Sequence, residues 1–225
     1  MAKTIEDLFF YLTFIFDFFI ILLVLISSKT KKIKKEIWFI FSYCILNSLT
    51  NYLSTLYSYE EEYFLYAFFT LLEYSIFAFF LAKTINKSLI SKLIFSLSCA
   101  FLIFVLLHTF TSKSDGLDSI PIGIETILIL IYSFYYLYLQ INIVDETFIY
   151  SRYQFWIIVG FMVYLGGSFF IYILANNVSY DVLKDYWFLT YAFYIIKNIL
   201  FGVGLYTYAK SSKRKYSQKF QPSLN

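Results

Sequence analysis

The sequence predicts an all-α, polytopic membrane protein: a bundle of seven transmembrane helices with the N-terminus outside and the C-terminus inside. Composition points to the class, because 60% of residues are hydrophobic, 15% are charged and mean hydropathy is +0.68, far from the balance of a water-soluble domain. Apolar runs supply the count. A helix needs about 20 mostly apolar residues to cross the hydrocarbon, and such runs fall at 7–28, 36–57, 62–83, 88–109, 120–143, 154–175 and 186–209. Charge supplies the direction. One side of this threading collects Lys29, Lys31, Lys32, Lys34, Lys35, Lys83, Lys87, Lys92, Arg152, Lys210, Lys213, Arg214, Lys215 and Lys219, against Lys3, Lys113 and Lys184 on the other. Basic residues concentrate in cytoplasmic loops, so the rich side is expected inside.

The first span is preceded by Glu6 and Asp7, followed by a lysine cluster, and lacks a small-residue cleavage site; it is expected to remain as a helix and not to be removed as a signal peptide. It carries Thr13 and Asp17 on one face. Span 2 carries Tyr43, Asn47, Thr50, Asn51 and Ser54 at three- to four-residue steps, a polar stripe on one side of a helix. Tyr66, Thr70 and Glu73 share a face of span 3. Span 4 has no mid-span charge; its histidine, His108, sits at the outer end. Span 5 opens with Pro121 in its first turn, where a missing N–H costs nothing, and presents Glu125, Tyr132 and Tyr136. Span 6 has Gly160, Gly166, Gly167 and Ser168, and span 7 has Gly202 and Gly204, small residues suited to close helix contact. Thr190, Tyr194 and Lys197 line one face of span 7. Trp38, Trp156 and Trp187 all fall at span ends, where indole favours the interface.

Loops of this length leave no room for a soluble catalytic or nucleotide-binding domain. Residues 1–209 form the transmembrane domain and residues 210–225 a basic cytoplasmic tail. The net charge of +3 reflects lysines at the inner surface, where anionic lipids attract each by about 1 kcal/mol, and gives no reason to expect nucleic acid. Cys44 and Cys99 read as small packing residues inside the hydrocarbon. No Cys, His or acidic spacing resembles a metal site, and no cofactor is expected. Nucleophilic catalysis needs a Ser, Thr or Cys beside a base with an orienting third group; a lone histidine at the membrane edge does not supply one, so the chain does not read as an enzyme.

Depth is the most informative signal. At 1.5 Å per residue, Asp17, Asn47, Glu73 and Lys197 each lie about ten or eleven residues from the outer border, near the middle of a core about 30 Å thick. Glu125 reaches only the outer third, with His108 above it. Charged and strongly polar groups are costly at mid-membrane and mark function or pairing. The expected picture is an outward-facing polar pocket floored by Asp17, Asn47, Glu73 and Lys197, with Glu125 and His108 nearer the mouth and Asn51, Tyr66, Thr70, Tyr132 and Tyr194 as secondary members.

Two carboxyls and one ammonium in a low dielectric need partners, and closure of span 7 on span 1 favours Asp17 as the partner of Lys197. Three roles stay open at this point: a buried ion pair that fixes helix register, a site for a small polar ligand, and a proton or ion path through Glu125, Glu73 and Asp17. A conductor would need a wet path to the inner border, whereas the inner halves of spans 3, 5 and 6 are mostly Phe, Leu and Tyr. A partner at the basic inner face would be needed for signalling, since the chain has no effector domain.

A lysine midway along span 7 with an acid midway along span 3 also resembles the layout of a retinal-binding opsin, with Lys197 as Schiff-base lysine and Glu73 as counter-ion. Microbial rhodopsins usually carry an aspartate four residues before that lysine; here the residue is Phe193. The stretches LLEYSIFAFF (71–80), FWIIVGFMVYLGGSFFIY (155–172) and IIKNILFGVGLY (195–206) resemble a family of small bacterial seven-helix membrane proteins of uncharacterised role. That resemblance implies a multi-pass protein of the plasma (inner) membrane, acting as a sensor or accessory subunit beside membrane signalling components.

Overall fold

Runs of Leu, Ile, Phe and Val without an interior proline satisfy every backbone group inside one segment, the only way for a single stretch of chain to cross lipid other than in a closed barrel. The computed structural model describes residues 2–30, 33–57, 59–111, 118–142, 148–174 and 180–219. Among them it has seven α-helices and a short 3₁₀ turn at Ile149–Ser151: α1 (Ala2–Thr30), α2 (Lys35–Ser54), α3 (Tyr59–Ile85), α4 (Ser88–Thr111), α5 (Ser119–Ile141), α6 (Tyr153–Leu174) and α7 (Tyr180–Lys219). Six of them, all but α2, are long and apolar enough to cross a membrane, the pattern of a multi-pass membrane protein. The exception has a physical reason. Twenty residues long, α2 spends part of its length on Tyr43, Asn47, Thr50, Asn51 and Ser54, the stripe that the spacing predicts, and on Ser48, and these lower its hydropathy.

Helix ends follow local chemistry. Asp118 caps α5 by accepting from Ile120 N at 3.1 Å, and Pro121 falls inside that first turn, where its missing donor is harmless. Between α3 and α4 the chain turns on Asn86, whose φ of 50° lies in the left-handed region that asparagine tolerates at helix C-termini. Ser91 Oγ then donates to Ala82 O at 3.1 Å and ties the start of α4 to the end of α3. Several helices overrun their apolar spans. The 40-residue α7 is the extreme, passing through the expected domain border at 209/210; residues 220–225 lie outside the described residues, as do Lys31, Lys32, Lys113 and Asp115 of the loops.

Packing orders the helices into a ring of six. α1 lies between α7 and α2, α2 packs on α3, α3 on α5, α5 on α6 and α6 on α7. The exception is α4, which rests on the outside of α3 and presents Leu93, Phe95, Leu102, Ile103, Leu106 and Leu107 outward. Helix association in lipid depends on close packing and interhelical hydrogen bonds, because the tails are as apolar as the side chains. The glycines show which contacts are close. A methyl at Gly167 would overlap the Phe193 ring, one at Gly160 would come within 2.9 Å of Phe201 Cε1, and one at Gly204 within 3.1 Å of the Tyr153 carbonyl. Gly166, expected at such a contact, faces open space, and Gly202 meets nothing closer than 3.8 Å. The expectation for the cysteines also holds for one residue only: Cys44 is buried, whereas Cys99 is exposed on the outer face of α4.

Candidate functional site

Asp17, on α1, has no exposure and four side-chain hydrogen bonds. Oδ2 accepts from Asn47 Nδ2 at 3.0 Å and Ser48 Oγ at 2.9 Å; Oδ1 accepts from Tyr194 OH at 2.5 Å and Asn198 Nδ2 at 2.9 Å. A carboxylate offers about four acceptor positions, so donors from α2 and α7 fill the shell. The result pins three helices through one residue.

Lys197, also without exposure, does not contact that carboxylate. Its Nζ donates to Tyr43 OH at 2.6 Å, and Tyr43 OH donates onward to Glu73 Oε1 at 2.7 Å. The ammonium lies 3.3 Å from the Tyr194 ring centroid, 3.9 Å from that of Tyr43 and 4.5 Å from that of Tyr164, within the range of cation–π attraction. Among the described residues the recorded ion pair is His108–Asp118; the direct Lys197–Asp17 pair expected from the sequence is absent. The reason is steric: Tyr194 donates to Asp17 through its hydroxyl and offers its ring face to Lys197, so it stands between the charges. Gly160 on α6 lies beside the stem of Lys197, where a methyl would sit 3.4 Å from Lys197 Cγ and 2.9 Å from Phe201 Cε1.

Above this network, in the half of the bundle that holds the start of α1, lies a cavity of about 80 Å³. A buried water needs about 10–15 Å³, so the space suits several waters or a small molecule. Thr13, Thr50, Asn51, Thr70 and Thr190 give it hydroxyls and an amide; Tyr66, Phe69, Tyr172, Trp187 and Tyr191 give it rings; Asn47, Glu73, Tyr164 and Tyr194 form the side nearest Lys197. Below the network the packing is aromatic. Phe77 stacks on Phe161 with centroids 4.0 Å apart, and Phe80 and Phe201 meet Phe161 edge-on at 5.4 and 5.6 Å. All four rings are buried.

The structure therefore brings Asp17, Asn47, Glu73 and Lys197 together, but it divides their work. Asn47 and Glu73 line the cavity; Asp17 and Lys197 lie behind its wall and do not. Asn51, Tyr66, Thr70 and Tyr194 line it as expected. Glu125 is 1% exposed on α5, outside the cavity lining, and its Oε1 has no hydrogen bond among the described residues. His108 is not among the residues that line the cavity. Because α4 packs outside the ring, His108 Nε2 reaches Asp118 Oδ2 at 2.7 Å and fastens α4 to the start of α5. Tyr132 also points elsewhere, with its hydroxyl 3.3 Å from that of Tyr74 in a separate α3–α5 contact. Tyr43, Ser48, Tyr164 and Asn198 were not singled out as site residues by the sequence. Asn198 had a usable signal, a mid-span amide beside the lysine; the two tyrosines are hidden among 23.

Compared with family models, curated proteins and solved structures, the chain matches none.

Proposed function

We propose that this chain is a receptor-like or accessory membrane protein that takes a small ligand into the cavity and passes its occupancy to a partner at the lysine-rich inner loops. In this reading α2 is the seventh crossing, the N-terminus is outside, the C-terminus is inside, and the membrane is the bacterial plasma membrane. At 1.5 Å per residue the 20 residues of α2 match a hydrocarbon core of about 30 Å, and its polar side faces its neighbours: Tyr43, Asn47 and Thr50 are buried. The observation that carries the function is the join between cavity and network. Glu73 and Tyr194 touch both, so an occupant meets the groups that fasten α1, α2, α3 and α7.

A thermal-shift panel of small polar amines, acids and alcohols on detergent-purified protein tests this. A ligand present at about 100 times its Kd stabilises the folded state by about 2.7 kcal/mol, and Thr70→Phe, which fills the cavity, is expected to erase that shift. The reading falls if no solute raises the melting temperature, or if Thr70→Phe leaves the shift unchanged.

A second reading, proton conduction, has its own support in the hydrogen-bonded line Lys197–Tyr43–Glu73, whose members exchange protons. The packed rings of Phe77, Phe80, Phe161 and Phe201 below it argue for a closed floor. Proteoliposomes carrying an internal pH dye are expected to stay silent under an imposed potential; a flux that drops in Asp17→Asn would establish conduction instead. The opsin-like reading has little support, because Lys197 is enclosed by tyrosine rings and does not line the cavity.

A further inference from the structure

The interior holds more carboxyl groups than basic ones. Among the described residues it holds three carboxyl groups, Asp17, Glu73 and Glu125, at 0%, 4% and 1% exposure, and one ammonium, Lys197; Asp118 is set apart by its contact with His108. These carboxyls are not equally provided for. Asp17 has its four donors, whereas Glu73 is met by two tyrosine hydroxyls only, that of Tyr43 at 2.7 Å and that of Tyr164. Burial of an anion costs several kcal/mol unless charge and hydrogen bonds compensate it, and Glu73 is the acid that borders the open space.

The rest of the lining fits the same need. No lysine, arginine or histidine is among the described residues that line the cavity, while seven of them are aromatic: Tyr66, Phe69, Tyr164, Tyr172, Trp187, Tyr191 and Tyr194. Ring faces carry a negative quadrupole and attract organic cations within about 6 Å, the basis of aromatic cages for ammonium groups. The bundle already uses this device once, around Lys197, whose Nζ is held by the faces of Tyr194, Tyr43 and Tyr164. Two of those rings, Tyr164 and Tyr194, also border the cavity.

We propose that the ligand is a small organic ammonium ion, with its cationic head against Glu73 and the aromatic wall and its polar remainder toward Thr50, Asn51 and Thr190. The proposal rests on the receptor reading and specifies its ligand. An anion would meet Glu73 with no basic residue in the lining to offset it, and a neutral guest would leave the carboxyl group and the ring faces without a cation. An ammonium ion would supply that cation without displacing Lys197 from Tyr43.

Trp187 lines the cavity and donates Nε1–H to Tyr191 at 3.2 Å, so it can report occupancy. With Trp38→Phe and Trp156→Phe it becomes the sole indole of the three in the chain. Choline chloride is then titrated against its uncharged isostere 3,3-dimethylbutan-1-ol, with sodium acetate as the anionic probe and sodium chloride as the ionic-strength control. The expected result is a saturable change in Trp187 emission with choline, an apparent Kd at least about tenfold lower than for the alcohol, and loss of that preference in Glu73→Gln. If the alcohol or acetate binds as well as choline, the cation proposal fails while the receptor reading stands. If none of the three changes the emission, the cation proposal fails, and the receptor reading falls with it only where the thermal-shift panel is silent as well. The choline-to-alcohol ratio is read in protein that retains Glu73, so the test keeps its force even where Glu73→Gln does not fold.

Discussion

Asp17→Ala is expected to lower the stability of the detergent-solubilised protein by about 3 kcal/mol or more. The substitution leaves Asn47, Ser48, Tyr194 and Asn198 aimed at an empty place. An unsatisfied buried donor costs about 1–3 kcal/mol; water entering the gap offsets part of the sum. Asp17→Asn should fall between Ala and wild type, because an amide keeps the volume but replaces one acceptor oxygen with a donor. Ile15→Ala makes the control, since Ile15 is 61% exposed on the same helix and its loss concerns lipid contact only. Unfolding midpoints of the four proteins decide the matter. A wild-type midpoint for Asp17→Ala would mean that this carboxylate does not hold α1 to α2 and α7.

The second large effect concerns charges that do not touch. Lys197→Met keeps most of the stem in its slot beside Gly160 but removes the ammonium, and removal of one member of a buried charged set typically costs about 3–5 kcal/mol. Glu73→Gln removes the charge at the other end of the Tyr43 bridge. If the hydroxyl transmits the interaction, the double variant is less destabilised than the sum of the two singles by about 1 kcal/mol or more, as coupled neighbours in one network are. Repeating the cycle in Tyr43→Phe should bring that coupling close to zero. Strict additivity with Tyr43 present would show that Lys197 and Glu73 act independently.

A helix has a fixed rise, so distance from a border places a residue in depth. Asp17, Asn47, Glu73 and Lys197 stand at similar distances from a border, so antiparallel packing had to bring them level, and they share one network. Their pairing was not legible in the same way. The sequence favours Asp17 for Lys197 because charge is visible and ring orientation is not; Tyr43 and Tyr194 stand on the expected polar faces, but nothing in the spacing shows that their rings intervene. Asn198 lies one residue past Lys197, about 100° further round the helix, which lets neighbouring positions serve two separate groups: Lys197 reaches Tyr43 while Asn198 reaches Asp17.

For His108 the sequence offers depth alone. Depth carries no information about which helix stands outside the ring, although the lack of a mid-span charge on α4 was a usable hint. The polar stripe of α2 was read correctly as an inward face, and the same residues keep α2 below the apolarity of the other six helices. In a membrane protein, a helix surrounded by partners can afford the polarity that a lipid-facing one such as α4 cannot.

Thr190, Tyr194, Lys197 and Asn198 are carried by a helix that continues without a break to Lys219. From Lys197 to that end is a rod of about 33 Å at 1.5 Å per residue. Tilting it by about 5° at the level of Tyr194 would carry its far end through about 3 Å by simple leverage, a displacement comparable to the helix shifts by which subunit interfaces switch. By geometry alone, the unbroken length of α7 would enlarge a small rearrangement around Tyr194 into a displacement of several ångströms at Lys219.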